Sequence, residues 1–284
     1  MFGSIGTPWW NRLLKGRLED DHLKLVRCRL MGKADAFHGE LRSELGSLSA
    51  GQRHLLVYLH GYNVSFEDAA LRAAQIGFDL KVQGATAFFS WPSCASAPSY
   101  GADLARIEAS EQDIADFLAG LASDSAADVI HVVAHSMGNR GLARAVQRIT
   151  AAAADTSRIH FGQIILAAPD LDVALFKDLA RIYPAISART TMYCCPRDRV
   201  LQLSRWIQDS NRAGFTPPVT VVDGIDTVEV TNIDLTLLGH GYHAEAESIL
   251  RDMKELIDHN APPVRRARLR ESRTAQGQSY WSIA

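Results

Sequence analysis

Residues 129–140 read VIHVVAHSMGNR, and this stretch decides the fold. Val129, Ile130, Val132 and Val133 form a short β-branched run of the kind that suits a strand buried on both faces. From Met137 onward the pattern changes, with Leu142, Ala145, Val146 and Ile149 recurring at helical spacing. Ser136 stands at the switch. A strand that runs straight into a helix must bend sharply, and small residues are needed two places before and two places after the bend. Here those places hold Ala134 and Gly138, so the string is A-x-S-x-G, a variant of the G-x-S-x-G nucleophile elbow. Such a bend lifts the hydroxyl out of the sheet and sets it at a helix N-terminus, where unpaired N–H groups can receive a developing oxyanion. Serine is also a good helix cap. A buried strand followed by a capped helix would give the same string, so the rest of the chain must separate the two.

The chain has 284 residues, 47% hydrophobic and 22% charged, with a formal net charge of −2. That length supports a sizeable core. The near-neutral charge gives no general pull toward nucleic acid or anionic lipid. No run reaches the roughly 18 apolar residues of a membrane span. The first residues, MFGSIGTPWWNRLLKGRLEDD, are charged early and do not read as a secretory signal. Cys28, Cys94, Cys194 and Cys195 show no metal-ligand spacing and no CxxC pair, so free thiols in a reducing cytoplasm are expected. No metal, no cofactor, no nucleic-acid partner and no stable membrane insertion are expected.

Outward from the elbow, strand and helix alternate. Buried-strand patterns are read at 54–60, 85–90, 160–168 and 189–195, with two shorter ones at 219–223 and 228–233. Helical patterns are read from a capping box at 65–68 through about 81, and over 103–122, 173–182, 200–208 and 241–259. This alternation calls for an α/β fold: a mostly parallel central sheet with helices on both faces. Three parts are expected, namely an N-terminal extension packed on the core over 1–50, the main domain over 51–260, and a solvated basic tail over 261–284. A strand-like alternation is read at 22–30 within the extension. Five arginines, 265, 266, 268, 270 and 273, lie in the tail, with Trp281 as a candidate anchor.

A serine nucleophile needs a base, and the base needs a group to orient it. In an open parallel sheet such groups lie at the C-terminal strand ends. Asp198 follows the strand at 189–195, and His240 sits in Leu238-Gly239-His240-Gly241 ahead of the last helix. The order Ser136, Asp198, His240 is that of α/β-hydrolase triads. Asp170 also ends a strand and competes for the acid's role, and His243 competes for the base's. His135 is expected to pack beside the elbow and His60 to support its loop. The oxyanion hole should use the N–H of Met137 and a second from the loop 60–63, placed on Tyr62 with Asn63 as rival. Trp91, Asn63 and Trp206 are read as walls of the substrate pocket.

The segments HGYN (60–63), FSWPS (89–93), AHSMGN (134–139), LAAPD (166–170), CPRDR (195–199) and LLGHGY (237–242) occur in this order. Together they resemble the bacterial esterase/lipase-like α/β-hydrolases grouped as a domain of unknown function, over about residues 53–257. Ala134 departs from the usual glycine of that superfamily but meets the same steric need. The resemblance implies the α/β-hydrolase fold and a serine hydrolase acting on small-molecule carboxylic esters. Thioesterase, amidase and acyltransferase chemistry on the same residues, or a non-catalytic binding protein of the same fold, are the alternatives. The connection from 170 to 189 has room for one helix and turns only, so no large cap domain is expected. An open site for short- to medium-chain esters follows from that reading.

Overall fold

The computed structural model describes residues 24–152, 159–230 and 244–283. After an extended, exposed lead at 24–30, helix α1 (Ala34–Gly46) precedes the first strand. Neither matches the reading of 22–30 as strand-like. Among the described residues of that alternation, Leu25, Val26 and Leu30 lie in solvent and none is in a strand. In α1 Leu41 and Leu45 are buried in the core and Phe37 packs against it, a spacing of four residues that secures one helical face.

The core alternates as expected. β1 (His54–Leu59) leads through a loop to α2 (Phe66–Asp79), which Ser65 caps by accepting from the Asp68 N–H. β2 (Gly84–Phe89) follows, then α3 (Tyr100–Ala109) and α4 (Glu111–Asp124). The single helix expected over 103–122 is in fact two, broken at Ser110. β3 (Val129–His135) turns at Ser136 into α5 (Gly138–Ala152), and β4 (Phe161–Ala167) leads to α6 (Val173–Ala180) and the short α7 (Tyr183–Ile186). β5 (Ser187–Cys194), α8 (Arg199–Gln208), β6 (Ile225–Glu229) and α9 (Ala244–His259) complete the alternation. Residues 219–223 form loop rather than the expected strand.

The strands form one sheet in the order β2-β1-β3-β4-β5-β6, extended by two strands from the tail. All neighbours among β1 to β6 run parallel. β1 and β3 are apolar nearly throughout because helices cover both faces of the sheet. On one face β1 contributes Leu55, Val57 and Leu59, packed with Leu118, Leu142 and Val146 from the helices. On the other it contributes Leu56 and Tyr58, packed with Ile76, Ile249 and Met253.

The tail departs from the reading as a solvated segment. β7 (Leu269–Arg273) and β8 (Ser279–Ile283) form an antiparallel hairpin, and β8 pairs parallel with β6 through Val228 opposite Trp281. Arg266, just before the hairpin, is fully buried. Its guanidinium forms an ion pair with Asp252 of α9, donating from Nε at 2.8 Å and from Nη2. Tyr193 of β5 donates to the same carboxylate at 2.5 Å. One arginine of the five is thereby consumed in tying the tail to the sheet.

Removing one partner of a buried ion pair leaves the other charge uncompensated. Asp252→Ala should therefore lower the unfolding free energy by about 3–5 kcal/mol in urea titration. A loss under about 1 kcal/mol would mean that other contacts hold the tail.

Candidate active site

The register of β1 on β3 aligns Leu59 with Ala134, so His60 and Gly61 continue alongside His135 and Ser136. Ser136 has φ +50°, in the left-handed region that a non-glycine residue avoids unless its surroundings impose it. Those surroundings are on view. The Ser136 N–H donates to Ala167 O at the end of β4, and Ser136 O accepts from the N–H groups of Asn139 and Asp170. The Asn139 side-chain nitrogen lies 3.1 Å from the carbonyls of Ala134, Ser136 and Ala167. One buried amide thus staples both arms of the bend to the neighbouring strand. Asn139 had no assigned role in the sequence reading, although it closes the quoted segment AHSMGN.

Gly138 is small for a reason the bend alone does not supply. A Cβ at this position would stand 2.5 Å from His60 O and 2.9 Å from Leu59 O. The closest clash is with the end of β1 and the residue that follows it. From the other side, a Cβ on Gly61 would sit 2.8 Å from His135 Nδ1 and 3.0 Å from Ser136 Cβ. Two backbones meet here with no room for a side chain between them. Ser136 is only 2% exposed. Its Oγ is buried and has no hydrogen-bond partner among the described residues.

Met137 directly precedes α5, so its N–H is one of the donors an α-helix leaves without an intrahelical partner. In the facing loop, the N–H of Asn63 donates to Asp103 Oδ2 at 3.2 Å. That amide is committed elsewhere, which weakens Asn63 as the second oxyanion donor. Tyr62 is half-buried, its ring edge-on to Tyr100 at 5.3 Å.

Trp91 is 1% exposed and walls no open pocket. Its ring stacks on His60 at 4.9 Å, and its indole N–H donates to His60 O at 2.9 Å. Burial holds the His60 imidazole below its ordinary pKa, with hydrogen bonds to Gly61 and Trp91 partly opposing the shift. His135 is pushed further down, to about 3, by complete burial and then by the charge of Arg72. Both rings are neutral packing groups beside the elbow, as the sequence suggests. Trp206 is 81% exposed on the outer face of α8, beside Leu203 and Ile207. The groove it lines with Gln202, Arg205 and Asp209 contains neither Ser136 nor a candidate acid.

The two candidate acids have different surroundings. Asp170 Oδ2 accepts from Tyr100 Oη at 2.7 Å, and its Oδ1 accepts from Ser204 Oγ at 2.5 Å. Arg212, equally buried, brings Nε to 3.7 Å from Oδ1. This carboxylate is engaged on both oxygens by groups that fasten α3 and α8 to the end of β4. Asp198, two strands from the elbow, caps α8 by accepting with Oδ1 from the N–H groups of Val200 and Leu201, each at 2.9 Å. His240 and His243 lie outside the described residues, so the proposed base is placed by the sequence alone. Among the described residues no three His, Cys, Asp or Glu side chains are grouped to hold a metal, and no helix is long and apolar enough to cross a membrane.

The family described as "Alpha/beta hydrolase of unknown function (DUF900)" matches residues 33–259. Among curated proteins none matches this chain. Similar solved structures include an uncharacterized protein from Bacillus cereus ATCC 10987, at 10% identity and TM-score 0.47, covering 89% of this chain and 67% of that one. A predicted CIB-like hydrolase from Thermoplasma acidophilum aligns at 14% identity and TM-score 0.44, covering 74% and 88%. Arabidopsis thaliana SOBER1 aligns at 10% identity and TM-score 0.44, covering 72% and 97%.

Asp170→Asn should destabilise the fold by about 3 kcal/mol or more, because Arg212 then stays buried without a facing carboxylate. Denaturant unfolding checks this. An unchanged midpoint would return Asp170 to contention as a group held for chemistry rather than for packing.

Proposed function

The chain belongs to the DUF900 family of α/β hydrolases of unknown function, and on that premise we propose that it is a serine hydrolase cleaving carboxylic esters through an acyl-enzyme. The observation that carries this reading is the elbow itself. Ser136 is held in a left-handed conformation at the entry to α5, with a buried hydroxyl that no described residue engages. A serine kept only as a helix cap would turn its oxygen onto the N–H groups of its own helix.

In the proposed reaction Ser136 Oγ attacks the ester carbonyl while His240 takes its proton. The negative oxygen of the tetrahedral intermediate is received by the N–H groups of Met137 and Tyr62. Collapse expels the alcohol, which takes the proton back from His240, and water then repeats the sequence on the acyl-enzyme to release the acid. Asp198 orients His240 and stabilises its imidazolium. Asp198 is preferred over Asp170 because both oxygens of Asp170 are engaged by Tyr100, Ser204 and Arg212. The substrates are small esters of short to medium chain. What supports this is the short connection between β4 and β5, which holds α6 and α7 and no large cap.

Ser136→Ala should lower ester turnover by about 10⁴-fold or more and abolish labelling by a fluorophosphonate, with folding retained. Wild type that neither labels nor hydrolyses any member of a short-chain ester panel would point instead to a binding protein on this fold. Turnover confined to thioesters or amides would move the reaction class and leave the residues in place.

His240→Ala should match that loss and His243→Ala should not. Asp198→Asn should cost about 10³–10⁴-fold through the wrong imidazole tautomer. Its stability should hardly change, since asparagine caps a helix about as well as aspartate. The reverse ranking of the two histidines in folded variants would reassign the base.

A further inference from the structure

Asp103 takes no part in the reaction described above, yet it is a fully buried carboxylate, 0% exposed, on the first turn of α3. A charge in that position persists only when hydrogen bonds replace its water. Its donors come from two other loops. Oδ2 accepts from the Asn63 N–H at 3.2 Å and from Ser93 Oγ at 2.6 Å, and Oδ1 accepts from the Cys94 N–H at 2.6 Å. Ser93 Oγ in turn accepts from the N–H groups of Val64 at 3.2 Å and Ala95 at 3.4 Å. Burial raises the Asp103 pKa, but the hydrogen bonds from Ser93, Cys94 and Asn63 outweigh it and hold the carboxyl below its ordinary value.

The residues gathered here share a position in the fold. Asn63 and Val64 belong to the loop after β1, and residues 93–95 to the loop after β2. Asn63 and Ala95 both have left-handed backbones, at φ +57° and +49°, and each lies at or beside a hydrogen bond of this cluster. The loop after β1 is held at two points. His60 is fixed by the stacked Trp91 and its indole N–H, and Asn63 by Asp103. Between them lie Gly61, pressed on Ser136, and Tyr62, whose N–H is the proposed second oxyanion donor.

We infer that Asp103 is a positioning residue: through Asn63 and Ser93 it fixes the loop that carries the second oxyanion donor at its working distance from Ser136. This rests on the ester-hydrolase reading above. An oxyanion hole stabilises the transition state more than the bound substrate, and only when its donors are already in place. A loop free to relax by a fraction of an ångström loses that advantage. Asparagine cannot replace Asp103. Its amide has one acceptor atom, so whichever way it is turned, either the Asn63 N–H or the Cys94 N–H faces an NH₂ group.

The test uses the full chain and two readouts. Asp103→Asn should lower kcat on a short-chain ester by about 10- to 100-fold while KM stays within about twofold, the signature of an interaction made in the transition state. Amide hydrogen exchange over 61–64 and 93–95 should accelerate by about tenfold or more, with the strands unchanged. Leu118→Ala, which opens a cavity in the core under α4, serves as the destabilised control and should leave kcat near wild type. If Asp103→Asn does not fold, Ser93→Ala removes the bridging hydroxyl and should show the same pattern at smaller amplitude. Faster loop exchange with wild-type kcat, or a raised KM with kcat intact, would overturn the positioning role. Unchanged exchange would overturn the clamp itself. A wild type without esterase activity would end the ester-hydrolase reading and the catalytic role built on it, and the exchange result would separate that failure from a failure of the clamp.

Discussion

Around Ser136 two stretches of backbone touch with no side chain between them. Gly61 lies against the serine and Gly138 lies against the carbonyls of Leu59 and His60. This contact is the constraint on which the rest of the site depends. It brings a helix N-terminus and the loop after β1 to the same few ångströms, where donors from two different elements can converge on one atom. It also obliges Ser136 to take a conformation that L-residues avoid, and that conformation must be stabilised from outside the bend. The Asn139 side chain and the carbonyl of Ala167 do so, drawing on β4, so the elbow exists only when the sheet has formed.

Three buried carboxylates perform three different tasks with one kind of physics. Each would be costly alone in an apolar interior, and each is compensated by donors from elements distant in sequence. Asp103 gathers the two loops beside the elbow. Asp170, with Arg212, fastens α3 and α8 to the end of β4. Asp252, with Arg266, ties the C-terminal hairpin to the sheet through α9. Asp198 differs from all three. It is equally buried, and one of its oxygens accepts from the amides of Val200 and Leu201 at the start of its own helix.

Much of the architecture can be read directly from residue patterns. Apolar and β-branched runs bounded by turns locate β1, β3, β4 and β5, and the interval between Asp170 and Arg189 leaves no room for a large cap. What periodicity could not place were elements whose partners lie far away in the chain. The hairpin of β7 and β8 is polar and arginine-rich, and only the exposed edge of β6 turns it into sheet. The described part of the alternation at 22–30, residues 24–30, meets no such edge and is exposed outside any strand. The break at Ser110 divides a helical pattern that is continuous in the sequence.

The same division runs through the site. Residue order is enough to place a serine between a buried strand and a helix with small residues around it, and to name the acidic and histidine residues that follow. Those are properties of local spacing, and spacing is a one-dimensional quantity. The packing of sheet and helices sets Trp91 against His60, leaves Trp206 facing solvent, and engages Asp170 with Tyr100, Ser204 and Arg212. It alone brought Asp103 to Asn63, forty residues away. The reason is physical: whether a polar side chain is available for chemistry depends on which donors and acceptors surround it, and those arrive from other strands and helices when the sheet closes.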